Sequence, residues 1–483
     1  MSRFERLSVL DASLLAVEDD AAHMHMGSVT IFDAGPLWKE AGGLEIERIR
    51  DYVLSRLHHI PRYRQRIAYT PVEGHPIWVD DESFNLNYHV RHTSLPLGAG
   101  ERELKRLAGR ILSQSLDRGK PLWEMWFVEG VGAGRFALIT KIHHCMVDGV
   151  AGVELTSQLM SERPQDEIGP IRPWIAQPRP SRRSLLIGST LHRPLTFLRD
   201  TGSALTHPQR TLGRVRETAN GLNQIARVNA QPASETLLNQ RIGPHRRIDW
   251  TQTSLADVKK IKQRLGGTVN DVVLAIVAGA IGKFLASRGT SLEDLDFRVA
   301  VPVNTRMKDQ PVESTGNHSS MMPTPLPIAE RDPAERLRQV IETTRERKAS
   351  KIALVPDALE RFCEWTSASL FFAFARLGSS MRTFNMVVTN VPGPQSPLYL
   401  LGARQAQVYP AVPLFQNQAL GIAIFSYDGV LYWGFNADWE RLPDLHDFAE
   451  AIDEEVEALR KAAGAASAEV SPVVGARRSQ SAG

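Results

Sequence analysis

The chain has 483 residues, with 57 lysines and arginines against 54 aspartates and glutamates and a hydrophobic fraction of 42%. Those values fit two or three globular domains and exclude a fibrous or largely disordered chain. Two cysteines, Cys145 and Cys363, cannot build a disulfide framework and fit a reducing compartment.

The first twenty residues hold no long apolar run and turn acidic early, so they do not read as a signal peptide. Leu104, Leu107, Ile111 and Leu112 mark one face of a helix that ends before the Asp117-Arg118-Gly119 turn. Two strands follow, Trp123 to Glu129 and Arg135 to His144, joined by a glycine-rich turn at Gly130 to Gly134. Another helix signal, with Val150, Val153 and Met160 on one side, comes directly after Gly149. From Ile171 to Ala230 there are ten arginines, no lysine and two acids, Asp200 and Glu217. This segment starts Pro-rich, as a linker does. Its later part, Ser184 to Asp200, mixes leucine, isoleucine and phenylalanine with arginine. That pattern suits a solvated connector or a helix lying on an anionic lipid surface. Without interleaved stacking aromatics it does not suit nucleic acid.

Past the linker, Ser254 and Asp257 cap a helix with Leu255, Val258, Ile261 and Leu265 inward, stopped by Gly266-Gly267. Thr268 and Asp271 repeat the device before the most apolar helix, Val272 to Ala286, which is too short for a bilayer and contains Lys283. Phe297 to Val303 reads as a strand, and Asp332-Pro333 opens a helix with Leu337, Val340, Ile341 and Thr344 on one stripe. Leu420 to Ser426 and Val430 to Asn436 flank Asp428-Gly429, a hairpin signal. Leu445, Phe448, Ile452, Val456 and Leu459 give a last amphipathic helix. The expected organisation is an N-terminal α/β lobe (1–165), a Pro/Arg-rich basic linker (166–235), a C-terminal α/β lobe (236–465) and a flexible tail (466–483).

Chemistry concentrates in Lys141-Ile142-His143-His144-Cys145-Met146-Val147-Asp148-Gly149, where a strand feeds a helix. Successive strand residues face opposite sides, so His143 and His144 cannot share one reactant, and a common metal site is not expected. One histidine is expected to face a cleft as general base while the other packs behind it. The alternative is a buried, structurally satisfied pair. Asp148 followed by Gly149 suits a tight turn whose carboxylate holds the loop through an arginine. Cys145 abuts His144, but adjacent side chains diverge, which disfavours a thiol nucleophile. No G-x-S-x-G elbow occurs in the sequence, and the Gly130 to Gly134 turn is neither a P-loop nor a dinucleotide fingerprint.

The motif HHxxxDG resembles the signature of CoA-dependent acyltransferases and of peptide-synthetase condensation domains. Further stretches resemble the bacterial wax ester synthase/diacylglycerol acyltransferase family. Leu7 to Val29 is similar to its opening segment and contains its Met-His-x-Gly pattern at Met24-His25-Met26-Gly27. Pro121-Leu122-Trp123 matches its P-L-W motif, and Asn239, Ile242-Gly243 and Arg246-Arg247 follow its L-N-x-x-I-G-x-x-R-R pattern. Asn270 to Ala275, Val301 to Arg306, Gly316-Asn317 and Asn390 to Pro394 complete the series, which runs in order from Leu7 to about Leu442.

The resemblance implies two chloramphenicol-acetyltransferase-like lobes forming a pseudo-dimer, with a tunnel between them and His144 midway along it. It implies direct acyl transfer, with long-chain acyl-CoA as co-substrate and no metal or other cofactor. His144 is then the proton acceptor, His143 its neighbour in the motif, and Asp148 and Gly149 the loop anchor and turn. Arg62 is the candidate structural partner of Asp148, the alternative being a surface arginine within the run Arg62, Arg64 and Arg66. Asn270 and Asp271, at a helix N-terminus, are candidate substrate-binding residues toward an oxyanion or a CoA phosphate; the alternative for Asp271 is a cap. The expected product is triacylglycerol from diacylglycerol, with wax esters from fatty alcohols as a second activity. The expected place is cytoplasmic and peripheral, on a lipid droplet or the inner membrane surface. Rival readings are a same-fold transferase acting on another lipid or polyketide alcohol and a non-catalytic lipid-associated scaffold.

Overall fold

The computed structural model describes residues 4–71, 74–132, 134–146, 158–165, 167–181, 185, 232–304, 319–349 and 382–469. In the N-terminal half, β1 (Glu5–Arg6) and α1 (Val9–Val17) lead into the long strand β2 (His25–Asp33) and α2 (Ile46–Arg56). There follow β3 (Gln65–Tyr69), β4 (Pro76–Asp80), the single turn α3 (Leu86–His89), β5 (Val90–Ser94) and α4 (Glu101–Leu112). The half closes with β6 (Trp123–Glu129) and β7 (Arg135–His143).

In the C-terminal half come β8 (Arg246–Ser254), α5 (Leu255–Leu265), α6 (Val269–Ala286), β9 (Arg298–Asn304), β10 (Ser319–Pro325) and α7 (Pro333–Ala349). Then follow β11 (Met386–Pro392), β12 (Tyr399–Leu400), β13 (Ala403–Ala411), β14 (Leu420–Tyr427), β15 (Val430–Asp438) and α8 (Leu445–Glu469). The local signals act as read: Ser254 Oγ accepts from Asp257 N, and Thr268 and Asp271 form a reciprocal capping box. At the β14–β15 hairpin, Asp428 and Gly429 both take positive φ, 45° and 79°. Such a turn matches the right-handed twist of the two strands it joins.

Among the described residues these strands form two six-stranded sheets, one per lobe. Their orders are β12-β13-β2-β7-β6-β5 and β10-β9-β11-β14-β15-β8, and a small sheet β1-β4-β3 stands beside the first. The expected partition differs from the structure in two places. Residues 399–411 fall within the expected C-terminal lobe, yet β13 pairs antiparallel with β2, from Arg404 against Asp33 to Ala411 against Gly27. The C-terminal half thus donates an edge to the N-terminal sheet. A second correction concerns the expected tail from 466, because α8 runs on to Glu469. The basic stretch 182–231, apart from Leu185, lies outside the described residues, as does 470–483.

The apolar helix α6 begins at Val269 and is long and apolar enough to cross a membrane, but its side chains from Asp271 to Leu285 are almost all buried in the C-terminal core. A buried Arg336–Glu455 ion pair ties α7 to α8, and the same guanidinium donates to the Ala275 carbonyl of α6 at 3.0 Å. Supplying carbonyl acceptors as well as a carboxylate is what makes a charge tolerable at that depth. The lobes meet where α4 crosses β8. A Cβ on Gly109 would lie 2.8 Å from the Arg246 carbonyl oxygen, so only glycine permits this approach. Next to it, Arg246 N donates to Ser113 Oγ at 2.8 Å.

Candidate active site

β7 delivers the histidine pair. Its last residue, His143, lies opposite His25 of β2, donates its amide to the Leu122 carbonyl at 2.9 Å and is 1% exposed. The chain then leaves the strand. His144 begins a one-turn 3₁₀ segment, His144–Met146, in which it is half-buried while Cys145 returns to the interior. The His144 amide donates to the Met24 carbonyl at 2.8 Å, so the start of β2 fixes where this histidine stands.

Behind the pair sits a carboxylate that spacing does not reveal. Glu18 follows α1, and its Oε1 accepts from Met24 N at 3.2 Å, while Arg118 donates to Oε2 from Nε at 3.2 Å and Nη2 at 2.6 Å. His143 Nε2 lies 3.6 Å from the same Oε2. Burial pushes the Glu18 carboxyl upward, but His143 and Arg118 together outweigh it and hold the group down to about 2. His143 Nδ1 accepts from Cys145 N at 3.1 Å. With that nitrogen an acceptor, the ring proton sits on Nε2 and points at Glu18. One carboxylate therefore stands behind both histidines, 3.6 Å from the His143 ring without a hydrogen bond to it and linked to His144 through the Met24 backbone.

A second polar layer supports β2 and β7. His25 Nε2 lies 2.8 Å from the Leu112 carbonyl and His23 Nε2 3.1 Å from that of Ser113, and the two rings stack at 5.5 Å. Burial lowers both, assisted by Lys141 at His25 and by Arg246 at His23, which favours neutral rings donating to the end of α4. Lys141 is fully buried, 3.3 Å from Glu124 Oε2 and donating to the Ile111 and Gln114 carbonyls at 3.2 and 3.1 Å. A cation at the C-terminal end of a helix meets the negative end of its dipole. Sequence reading passed over Glu18, Arg118, His23 and Lys141 as functional positions. His23 and Lys141 adjoin the Met-His-x-Gly and histidine motifs in sequence, whereas Glu18 and Arg118 lie next to neither.

The other sequence-derived residues distribute as follows. Asp148 and Gly149 lie outside the described residues, and with them the pairing of Asp148 to Arg62. Arg62 donates to Glu5 Oε1 at 2.6 Å and Gln65 Oε1 at 2.9 Å, with its guanidinium 4.4 Å from the Trp78 ring centre. Asp271 is spent internally: Oδ2 accepts from Thr268 N and Oγ1, and Oδ1 from Thr344 Oγ1, all at 2.8 Å. Asn270 instead faces a cavity of about 330 Å³ and is joined there by Asn390, whose Nδ2 reaches Asn270 Oδ1 at 3.5 Å. Two motifs 120 residues apart thus converge. Cys145 packs among Leu7, Leu15, Leu116 and Leu122, and burial pushes its thiol well above the ordinary value, with Asp11 and Glu18 adding to the effect. A thiol so placed is a poor nucleophile. Among the described residues no three His, Cys, Asp or Glu side chains gather as a metal site requires.

The arrangement suits proton transfer: a half-buried imidazole at a strand end, held from behind by a network whose charges are already paired. Residues 7–273 match the model of the wax ester synthase/diacylglycerol acyltransferase catalytic domain, and residues 315–460 match the C-terminal domain of the same family. A putative diacylglycerol O-acyltransferase of Mycobacterium tuberculosis strain CDC 1551 is 32% identical, with 94% of this chain and 90% of that protein covered. A probable diacylglycerol O-acyltransferase of strain H37Rv is 30% identical over 94% of this chain and 95% of its own length. The wax ester synthase/diacylglycerol acyltransferase from Marinobacter aquaeolei VT8 superposes with a TM-score of 0.65 at 25% identity, covering 95% of this chain and all of that one. The first condensation domain of the calcium-dependent antibiotic synthetase shares the fold at 15% identity, with a TM-score of 0.61 and 96% of each chain covered.

Proposed function

The chain belongs to the wax ester synthase/diacylglycerol acyltransferase family, and from that premise we propose that it esterifies diacylglycerol with the acyl group of a long-chain acyl-CoA, forming triacylglycerol. Fatty alcohols are the second acceptor class, giving wax esters. The observation that carries the reading is His144, half-buried at the end of β7 and anchored through Met24 to the Glu18–Arg118 pair.

The acceptor hydroxyl gives its proton to the His144 imidazole as its oxygen attacks the thioester carbonyl. The new C–O bond forms, the C–S bond breaks, and the imidazolium returns the proton to the departing CoA thiolate. Histidine suits both steps because its ordinary pKa lies near neutrality. No acyl-enzyme and no group beyond the two substrates enters this scheme. In the test, labelled palmitoyl-CoA is supplied with equal amounts of diacylglycerol and hexadecanol and the neutral lipids are separated. Label is expected in triacylglycerol, with a smaller share in wax ester. Label in neither product would overturn the reading.

We further propose that the reaction takes place at a lipid surface on the cytoplasmic side, a lipid body or the inner face of the membrane, where acceptor and product reside. Support comes from the arginine-rich stretch between Ile171 and Ala230. Binding to anionic vesicles is expected to weaken between about 0.1 M and about 0.5 M salt, since screening acts on charge attraction. Unchanged binding would argue against attachment by charge.

A further inference from the structure

At the seam of the lobes, α4 and β8 enclose a groove of about 500 Å³ that the acyl transfer above does not employ. Arg102, Lys105 and Arg106 line it from α4, Arg246 and Arg247 from β8. Its two carboxylates are already committed. Asp249 is held by Lys105 at 2.6 Å and by His446 at 3.0 Å, and Glu101 by the same Lys105 at 2.8 Å. Arg102, Arg106 and Arg247 therefore have no ion-pair partner among the described residues. Arg247 lies 3.9 Å from the centre of the Trp439 ring, and its Nε is buried without a hydrogen-bond partner. Arg246, deeper, spends its guanidinium on the Gly243, His245 and Ala21 carbonyls. Burial lowers the pKa of both arginines, and at Arg247 the charge of Arg106 lowers it further, against the pull of Asp444 and Asp249. Gathering cations this way is costly until an anion arrives.

We propose that this groove binds the phosphates of acyl-CoA, with Arg102, Arg106 and Arg247 as the contacting cations. The inference rests on the acyl-CoA reading above. Guanidinium groups match phosphate oxygens in charge and in hydrogen-bond geometry. Trp439, 43% exposed at the groove, offers a ring face on which an adenine can stack. A short relay of contacts links the groove to the reaction centre. Arg246 touches the Ala21 carbonyl, and three residues later the Met24 carbonyl holds the His144 amide. The charged end of the donor stays at the wet rim while its thioester reaches inward.

Adenosine 3′,5′-bisphosphate, the phosphate-bearing end of CoA, is the probe. It is titrated calorimetrically into the full-length protein and into Arg102→Ala/Arg106→Ala, two exposed positions whose truncation leaves the core untouched. The wild type is expected to bind, and the variant about tenfold more weakly. In the same variant KM for palmitoyl-CoA is expected to rise about tenfold, while that for palmitoyl-pantetheine, which lacks the phosphates, stays put. Absent bisphosphate binding, or equal binding by the variant, overturns the assignment. So does a variant that binds phosphatidylglycerol vesicles more weakly with an unaltered KM for palmitoyl-CoA, which would make the groove a lipid-headgroup site. If the wild type makes no ester yet binds bisphosphate through these arginines, the groove stands and the acyl-transfer reading falls.

Discussion

His144→Ala is expected to lower ester formation from palmitoyl-CoA by about 10²–10⁴-fold, the usual worth of a positioned general base. Its unfolding midpoint in denaturant is expected to stay near that of the wild type. The bond that places residue 144 runs from its amide to the Met24 carbonyl, so truncating the side chain leaves that anchor in place. The ring is half-buried, and its removal opens toward the site instead of leaving a sealed cavity. His143→Ala provides the contrast. That ring is 1% exposed and accepts from Cys145 N, so its loss strands an interior amide, while Glu18 keeps Arg118 and the Met24 amide. Stranding a buried polar group costs about 1–3 kcal/mol, hence activity and midpoint should fall together. Activity retained by His144→Ala would remove the base assignment outright.

The contrast also marks what the sequence makes legible. Caps, turns and amphipathic stripes are written within a few residues of where they act. Thr268 with Asp271, Asp428-Gly429 and the apolar face of α8 are therefore found at the places where they were read. His143 takes the inward face of β7, whereas His144, expected to be the strand's last residue, owes its place to the 3₁₀ turn that follows. Pairings over long separations leave no such trace. Ala403–Ala411 carries a register shift between Gln405 and Gln407, and nothing local says that it pairs with β2, some 370 residues earlier, instead of its own lobe. Glu18 meets Arg118 and His143 only because α1, the turn after α4 and the end of β7 converge. The same holds for the basic groove, where Arg246-Arg247 belongs to a motif and nothing local links it to Arg102 and Arg106 on α4.

Glu18→Gln is expected to reduce kcat by about 10²-fold, the scale of a misplacement of about 1 Å at a reacting group. The amide keeps the shape but drops the charge. Arg118 then lacks its counter-ion, His143 Nε2 faces a neutral group, and the amide of Met24, the residue whose carbonyl holds His144, loses a charged acceptor. Because the Arg118 side chain is 39% exposed, water offsets part of that loss, and the stability cost is set at about 1–3 kcal/mol, below that of a sealed ion pair. A pH series separates positioning from mere packing. Removing a buried negative charge disfavours a nearby imidazolium, so the acid limb of kcat/KM is expected to move to lower pH. A cavity defect would scale the whole profile without moving it. Stability has its own signature. The wild-type Glu18 carboxyl is held at about 2, below its ordinary 4.5, so its contribution is full above about pH 4.5 and is lost as pH falls toward 2. The variant lacks that titration, and the stability gap between the two proteins should close over the same interval. A gap constant down to pH 2 would show that Glu18 acts by shape, and the carboxylate would lose its place behind the two histidines.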